Sequence, residues 1–210
     1  MGKMRLEHMV LGMVSTNCYL LINDELKQCV VIDPADSGFM INQRISYNGC
    51  SLSGILLTHG HFDHITAVDD VKKAFGAKVY ASVDEKEVLA STHYNLSEGN
   101  GRTVTVEADV WLNDGDAIKL AGFNIKVINT PGHTKGSCCY YIEDEKSLFS
   151  GDTLFAGSVG RTDFPTGSMS EIVHSVNDRL MKLPDDTKVF PGHGESSSIA
   201  YEKQHNPYVN

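Results

Sequence analysis

No apolar run in the 210-residue chain approaches the roughly 20 residues needed to span a bilayer, and the start MGKMRLEHM lacks a continuous apolar signal-peptide core. Met1-Gly2 resembles an acylation signal, but Leu6 stands where that signal needs Ser or Thr. Cytoplasmic location without membrane attachment is the expectation. Basic residues are also scarce: 18 Lys and Arg against 27 Asp and Glu leave a net charge of −9, which disfavours nucleic acid and anionic membrane surfaces and favours a small-molecule partner. The five cysteines, Cys18, Cys29, Cys50, Cys138 and Cys139, are odd in number and form no CxxC pair. Neither a disulfide framework nor a thiolate zinc knuckle is expected, and they read as small buried hydrophobes. The chain has no low-complexity tract, solenoid period or Pro/Gly/Ser linker, so residues 1–210 read as a single domain.

Strand-like runs dominate. NCYLLIN (17–23) and QCVVIDP (28–34) flank the turn-prone Asp24-Glu25 and predict a hairpin. GILLT (54–58) has no polar alternation and predicts a strand covered on both faces. Ile65, Val68, Val71 and Phe75 then recur at helical spacing with Gly76 as C-cap, which predicts a helix starting where the following histidine cluster ends. KVYAS (78–82), AIKLAG (117–122), FNIKVINT (123–130), CCYYIED (138–144), KSLFS (146–150) and KVFPG (188–192) read as further strands. SMSE (168–171) has the form of a capping box before Ile172, Val173, Val176 and Leu180. Together these predict an α/β (α+β) fold of packed sheets with helices outside. The polar segment 91–107 reads as a surface loop.

The chemistry is concentrated at strand ends. THGHFDH places His59, His61, Asp63 and His64 within six positions after GILLT, and all are ligands for borderline metal ions. His133 in TPGHTKGS, Asp152 in FSGDTLF and His193 in FPGHGES each follow a strand-like run beside glycine, which lets the backbone turn tightly. Singly each has a plain explanation: Asp63 as a helix N-cap, Asp152 as a turn residue, His133 or His193 as a structural histidine. Jointly, seven ligand-type residues at loop positions point to a metal site, because unpartnered buried polar groups would otherwise cost about 1–3 kcal/mol each. No cysteine neighbours them, so a catalytic centre with open coordination positions fits better than a closed structural zinc. His8, His93, His174 and His205 lack such neighbours and fall outside the site.

The string His59-x-His61-x-Asp63-His64, followed by His133, Asp152 and His193, resembles the metallo-β-lactamase superfamily, and GDTLF followed by GR is similar to its glyoxalase II branch. The resemblance spans nearly the whole chain and implies an αβ/βα four-layer sandwich. It further implies that His59, His61 and His133 hold one divalent ion, that Asp63, His64 and His193 hold a second, and that Asp152 bridges them. Zinc is the expected metal, with iron or manganese as alternatives. Two such ions would share a hydroxide, formed from water near neutral pH, as the nucleophile, with Asp63 helping to orient it. The implied activity is thioester hydrolysis on hydroxyacylglutathione-like substrates. Two-domain glyoxalase II proteins add a C-terminal helical domain with basic residues for glutathione, whereas 17 residues follow His193 here with Lys203 their sole Lys or Arg, so the resemblance is closer to short, single-domain glyoxalase II-like hydrolases. Arg161 in VGRTDFPTGS is a candidate for binding a substrate anion, with a loop-holding bond to Asp163 as the alternative. A similar histidine string occurs in persulfide dioxygenases, where His59, His133 and Asp152 would hold one iron. A noncatalytic metal-binding scaffold is the third reading, and retention of all seven ligands speaks against it.

Overall fold

The computed structural model describes residues 3–209. Met1 and Gly2, where the acylation signal was weighed, lie outside the described residues, as does Asn210. Strands β1 (Met4–Leu11), β2 (Thr16–Asn23), β3 (Gln28–Ile32), β4 (Ser51–Leu56), β5 (Val79–Ser82) and β6 (Val110–Leu112) form one sheet in that order. The second sheet is built from β7 (Ala117–Leu120), β8 (Phe123–Asn129), β9 (Cys138–Ile142), β10 (Ser147–Gly151), β13 (Lys188–Pro191) and β14 (Ser197–Ser198). A two-stranded ribbon of β11 (Leu154–Phe155) and β12 (Ser158–Val159) leaves the end of β10. Pairing is antiparallel across β1–β2–β3 and turns parallel across β3–β4–β5–β6. In the second sheet the parallel pair is β10–β13.

The apolar runs explain the layering. In β2 and β3, Tyr19, Leu21, Val30 and Ile32 face Ile125, Val127, Tyr140 and Phe149 of the other sheet in a central core. The alternate residues Cys18, Leu20, Ile22 and Val31 face outward onto Ile41 and Ile45 of α1 (Gly38–Tyr47), Ile65 of α2 (Phe62–Ile65), and Val68 and Val71 of α3 (Val68–Phe75). On the far side, Cys139, Tyr141, Leu148 and Val189 pack on Ile172 of α5 (Met169–His174), Val176 and Leu180 beyond it, and Ile199 of α6 (Ile199–His205). The order is therefore helix, sheet, sheet, helix, the expected αβ/βα sandwich. A strand with a core on each face must be apolar at every position, which is why these runs lack alternation. All five cysteines are buried and unpaired, as expected.

Several expectations shift. The helix after the histidine cluster begins earlier and is broken: α2 includes Asp63 and His64, and Thr66 and Ala67 separate it from α3. Thr66 Oγ1 donates to Phe62 O at 2.6 Å, and Ala67 N turns away to Pro34 O at 3.0 Å, so the helical ladder is diverted at that point. Gly76 caps α3 in the left-handed region, φ 66°, as predicted. Ser168 caps α5 through Glu171 N, but the helix widens into a π turn at Ser175–Arg179, where Ser175 Oγ reaches Pro131 O at 2.8 Å. Segment 91–107 is no plain surface loop. Asn95 and Ser97 are fully buried; Asn95 O accepts from Phe62 N at 2.8 Å and Asn95 Nδ2 donates to Val104 O at 2.7 Å. β1 went unread because its alternating, half-exposed pattern marks an edge strand with one weak apolar face. The remaining short helix α4 (Lys86–Ala90) follows a 3-10 turn at Val83–Glu85, beneath the histidine loop.

Candidate metal centre

The seven singled-out residues come from four strand ends in two sheets and meet at one edge of the sandwich. His59, His61 and His133 bring one ligand atom each within 4.8 Å of one another, and so do His59, His64 and Asp152, and Asp63, His64 and His193. His61 Nδ1 lies 2.9 Å from His133 Nε2. Asp152 sits between the groups: Oδ1 is 3.3 Å from His64 Nε2, and Oδ2 is 3.5 Å from both His133 Nε2 and His193 Nε2. Asp63 Oδ2 is 3.2 Å from His193 Nε2 and accepts from Thr16 Oγ1 at 2.8 Å. Asp63 is therefore no helix cap; His61 occupies the cap position of α2.

Residues outside the seven fix how the rings present themselves. Asp33, at the end of β3, accepts from Thr58 N at 2.8 Å, from Thr58 Oγ1 at 2.6 Å and from His64 Nδ1 at 2.9 Å. His59 Nδ1 in turn meets Thr58 Oγ1 at 3.2 Å. One buried carboxylate thus directs the Nε2 lone pairs of both His64 and His59 toward the site, the arrangement by which metal-ligating histidines are oriented. Asp33 holds a φ of 50°, which an L-residue adopts only when its surroundings over-determine it. His133 Nδ1 donates to Arg161 O at 2.7 Å, which frees its Nε2. Asn17 Nδ2 donates to Pro191 O and Gly194 O, at 2.9 and 3.0 Å, and clamps the His193 loop to β2. The QCVVIDP run carried the same signal as the other strand ends, a carboxylate closing an apolar strand, and Asp33 was readable on that ground. Thr16, Asn17 and Glu85 carried no such signal.

Glycine 192 shows how tightly the loops converge. A Cβ there would stand 2.1 Å from Asp152 Oδ1 and 2.7 Å from His64 Cε1.

Electrostatically the centre has two halves. Burial drives His59 well below its ordinary value, and the rings of His64 and His133 add to the effect. Burial likewise lowers His61 to about 3, and it lowers His133. His64 and His193 are also penalised by burial, but Asp63, Asp152 and Asp33 override it at His64, and Asp152 and Asp63 lift His193 to about 10. Asp63, which burial alone would raise, is held at about 2 chiefly by His64 and His193.

Among the described residues, His59 Nε2, His61 Nε2, His64 Nε2 and Asp152 Oδ1 are buried polar atoms without a hydrogen-bond partner. Four such orphans in one place would be a heavy penalty in a protein that held nothing there. The donor set of imidazoles and carboxylates suits divalent cations. A profile of the metallo-beta-lactamase superfamily matches residues 11–193. The chain belongs to the metallo-beta-lactamase superfamily. The probable metallo-hydrolase YqgX of Bacillus subtilis is 38% identical over 209 residues, 99% of this chain and 98% of that protein. The hydroxyacylglutathione hydrolase GloC of Haemophilus influenzae is 36% identical over 198 residues, 92% of each. Among solved structures, the BLEG-1 B3 metallo-beta-lactamase superposes with a TM-score of 0.91 at 36% identity, covering 97% of this chain and 99% of that one. TTHA1623 in a di-iron-bound form superposes at 0.85 with 32% identity, covering 96% and 99%. Membership makes the chain a metallo-hydrolase with a His/Asp centre for divalent metals, and it leaves the metal itself unspecified.

Arg161 stands apart from the cluster. Its guanidinium makes two bonds to Asp163, at 2.7 and 2.6 Å, and lies 3.9 Å over the Phe164 ring, whose edge faces His61. Its backbone carbonyl, not its charge, touches the ligand set. His8 stacks on Tyr19 and bonds Asn17, and the other three remaining histidines are half-exposed or exposed, away from the ligand groups. No helix among the described residues is long and apolar enough to cross a membrane.

Proposed function

We propose that the chain is a metal-dependent thioesterase of the single-domain glyoxalase II type, with His59, His61 and His133 holding one divalent ion, Asp63, His64 and His193 a second, and Asp152 shared by both. Zinc is the metal we assign first, with iron and manganese as alternatives. Bound there, the cations would polarise a thioester carbonyl and bring the ionisation of water near neutral pH. The observation that carries the choice of substrate is the lack of an acid to protonate a leaving group. Both carboxylates of the centre, Asp63 and Asp152, belong to the ligand set, and a carboxylate that ligates a cation has no proton to give. Two further carboxylates lie close by: Glu85 is turned into the backbone beneath the loops, and Asp33 is occupied by Thr58 and by His64 Nδ1 on the side away from the site. A thiolate, whose conjugate acid has a pKa near 8.5, departs without such help, whereas an amine does not. Similarity to GloC supports the same class.

The chain's own residues keep the site in order. Asp33 and the Arg161 carbonyl hold the imidazoles in one tautomer, Thr16 orients Asp63, and Asp63 can accept a hydrogen bond from the attacking oxygen. Arg161 is the residue we assign to an anionic group of the substrate. Its partner Asp163 is exposed, and an exposed ion pair of this kind is worth so little that a substrate carboxylate can displace it. The carrier thiol is glutathione or a smaller anionic thiol. The di-iron-bound relative is consistent with iron as the metal but, holding two ions, does not favour the alternative, a mononuclear iron persulfide dioxygenase, which leaves His61, Asp63, His64 and His193 without a role. A noncatalytic metal-binding scaffold would use the same unpartnered ligand atoms, so turnover is what separates it from an enzyme.

S-lactoylglutathione cleavage by zinc-loaded protein, set against oxygen uptake with glutathione persulfide by iron-loaded protein, decides between the two activities. Thioester cleavage is expected. Robust oxygen uptake with negligible cleavage under either metal overturns the assignment.

A further inference from the structure

Glu85 lies at the end of the 3-10 turn after β5, fully buried, and its carboxylate is divided between two loops. Oε1 accepts from Gly60 N at 2.8 Å, the amide between His59 and His61. Oε2 accepts from Thr134 Oγ1 and Gly136 N, each at 2.9 Å, in the loop that opens with His133. The two loops hang from different sheets, β4 in one and β8 in the other. Gly136 approaches so closely that a side chain is excluded, a Cβ there standing 2.2 Å from Glu85 N, and Gly60 is tight, a Cβ there standing 3.2 Å from Glu85 Oε1. We infer that Glu85 is a positioning residue that sets the spacing of His59, His61 and His133 by bridging the two sheets beneath them, and that it acts on this half of the centre selectively.

Selectivity follows from who holds what. Asp63 and His64 are fixed by Thr16 and Asp33, and the His193 loop by Asn17; none of these contacts involves Glu85. The choice of a carboxylate is informative as well. Three uncharged donors converge on it, and no neutral side chain of the same length satisfies them all. A glutamine would present its NH2 group to the Gly60 amide in one orientation and to the Gly136 amide in the other, leaving one backbone N–H without an acceptor in either. Burial raises the Glu85 carboxyl to about 7, a cost that the three donors offset and that an apolar side chain, leaving all three without an acceptor, would not relieve.

The inference rests on the assignment of the three histidines to one ion, but not on the reaction. It is tested by titrating metal-free full-length protein with cobalt(II), following the visible ligand-field bands against a competing chelator. His193→Ala leaves the three-histidine group as the principal binder, and His61→Ala leaves the carboxylate group. In the His193→Ala background, Glu85→Gln should weaken cobalt binding about 10–100-fold and shift the bands, the range in which outer partners of ligands act. In the His61→Ala background the same substitution should change affinity less than about threefold. Thr134→Val, which removes one of the three donors, should give a smaller loss of about 3–10-fold in the first background only, and it carries the test if the glutamine variant does not fold. Equal weakening in both backgrounds, or no change in either, overturns the inference. Selective weakening in a protein that cleaves no thioester upholds the brace and sinks the thioesterase reading; cleavage with unselective weakening does the reverse.

Discussion

His61 and His193 carry the same side chain in one site, yet burial takes the first down to about 3 while Asp152 and Asp63, against burial, hold the second up at about 10. The difference lies in their neighbours. His61 stands among His59 and His133, with a carboxylate only on its far side; His193 points between two carboxylates. In the metal-free chain the three-histidine half is therefore neutral and ready to ligate, whereas the carboxylate half holds protons on His64 and His193 that a cation must displace. The supports differ too: Glu85 lies under the first half, whereas Asp33 holds His64 of the second directly and reaches His59 of the first only through Thr58. One fold has built two binding steps with different charge and different supports.

The strongest way to break this comparison is to remove what the halves share. Asp152→Ala should lower occupancy of both ions and reduce kcat/KM for a thioester by on the order of a thousandfold or more, because the carboxylate that faces both groups is gone. Metal analysis showing two fully occupied ions would remove Asp152 from the bridging position. Gly192→Ala should come next. Its methyl would fall on Asp152 and His64, so a loss of about 1–3 kcal/mol in unfolding free energy should accompany weaker metal binding, chiefly in the carboxylate half. Ordinary stability with full metal content would mean that the loop can yield there.

Proton release sharpens the comparison directly. A histidine must be neutral to ligate, so calorimetry of metal binding in buffers of different ionisation enthalpy at about pH 7.5 should find about two protons released for the carboxylate half, from His64 and His193, and none for the three-histidine half. Affinity of the carboxylate half should rise with pH toward the His193 value of about 10, while that of the three-histidine half stays flat above about 6. Equal proton release in the two steps would contradict the asymmetry. A smaller effect is expected at Arg161→Ala: KM for an anionic thioester should rise about 3–10-fold more than for a neutral one, since the guanidinium is half engaged with Asp163 already. Equal changes would return Arg161 to holding its loop. The smallest is at Glu85. A carboxyl raised from 4.5 to about 7 gives relative stability that is fully present below about 4.5 and lost as pH rises through 7, an upper span of about 3 kcal/mol. The melting temperature of metal-free Glu85→Gln relative to the parent should therefore climb between pH 5 and about 8. A difference independent of pH would show that Glu85 stays ionised throughout.

What the sequence determined by itself was the fold class and the placing of seven ligand-type residues at strand ends, because each obeys a local rule. A strand buried on both faces must be uniformly apolar, and a side chain offered at its end must sit beside a residue that permits a sharp turn; GILLT before His59 and the glycines beside His133, Asp152 and His193 state both rules in a few letters. Asp33 obeyed them too, in QCVVIDP. What only the tertiary structure decided was everything that depends on distance between segments far apart in the chain. Glu85 looks like a surface residue of DEKE until two loops from different sheets close over it. Asn95 looks like a loop residue until its carbonyl takes the amide of Phe62. Equally, nothing local distinguishes His61 from His193; opposite charge states arise because a field is summed over neighbours that only folding brings within a few ångströms.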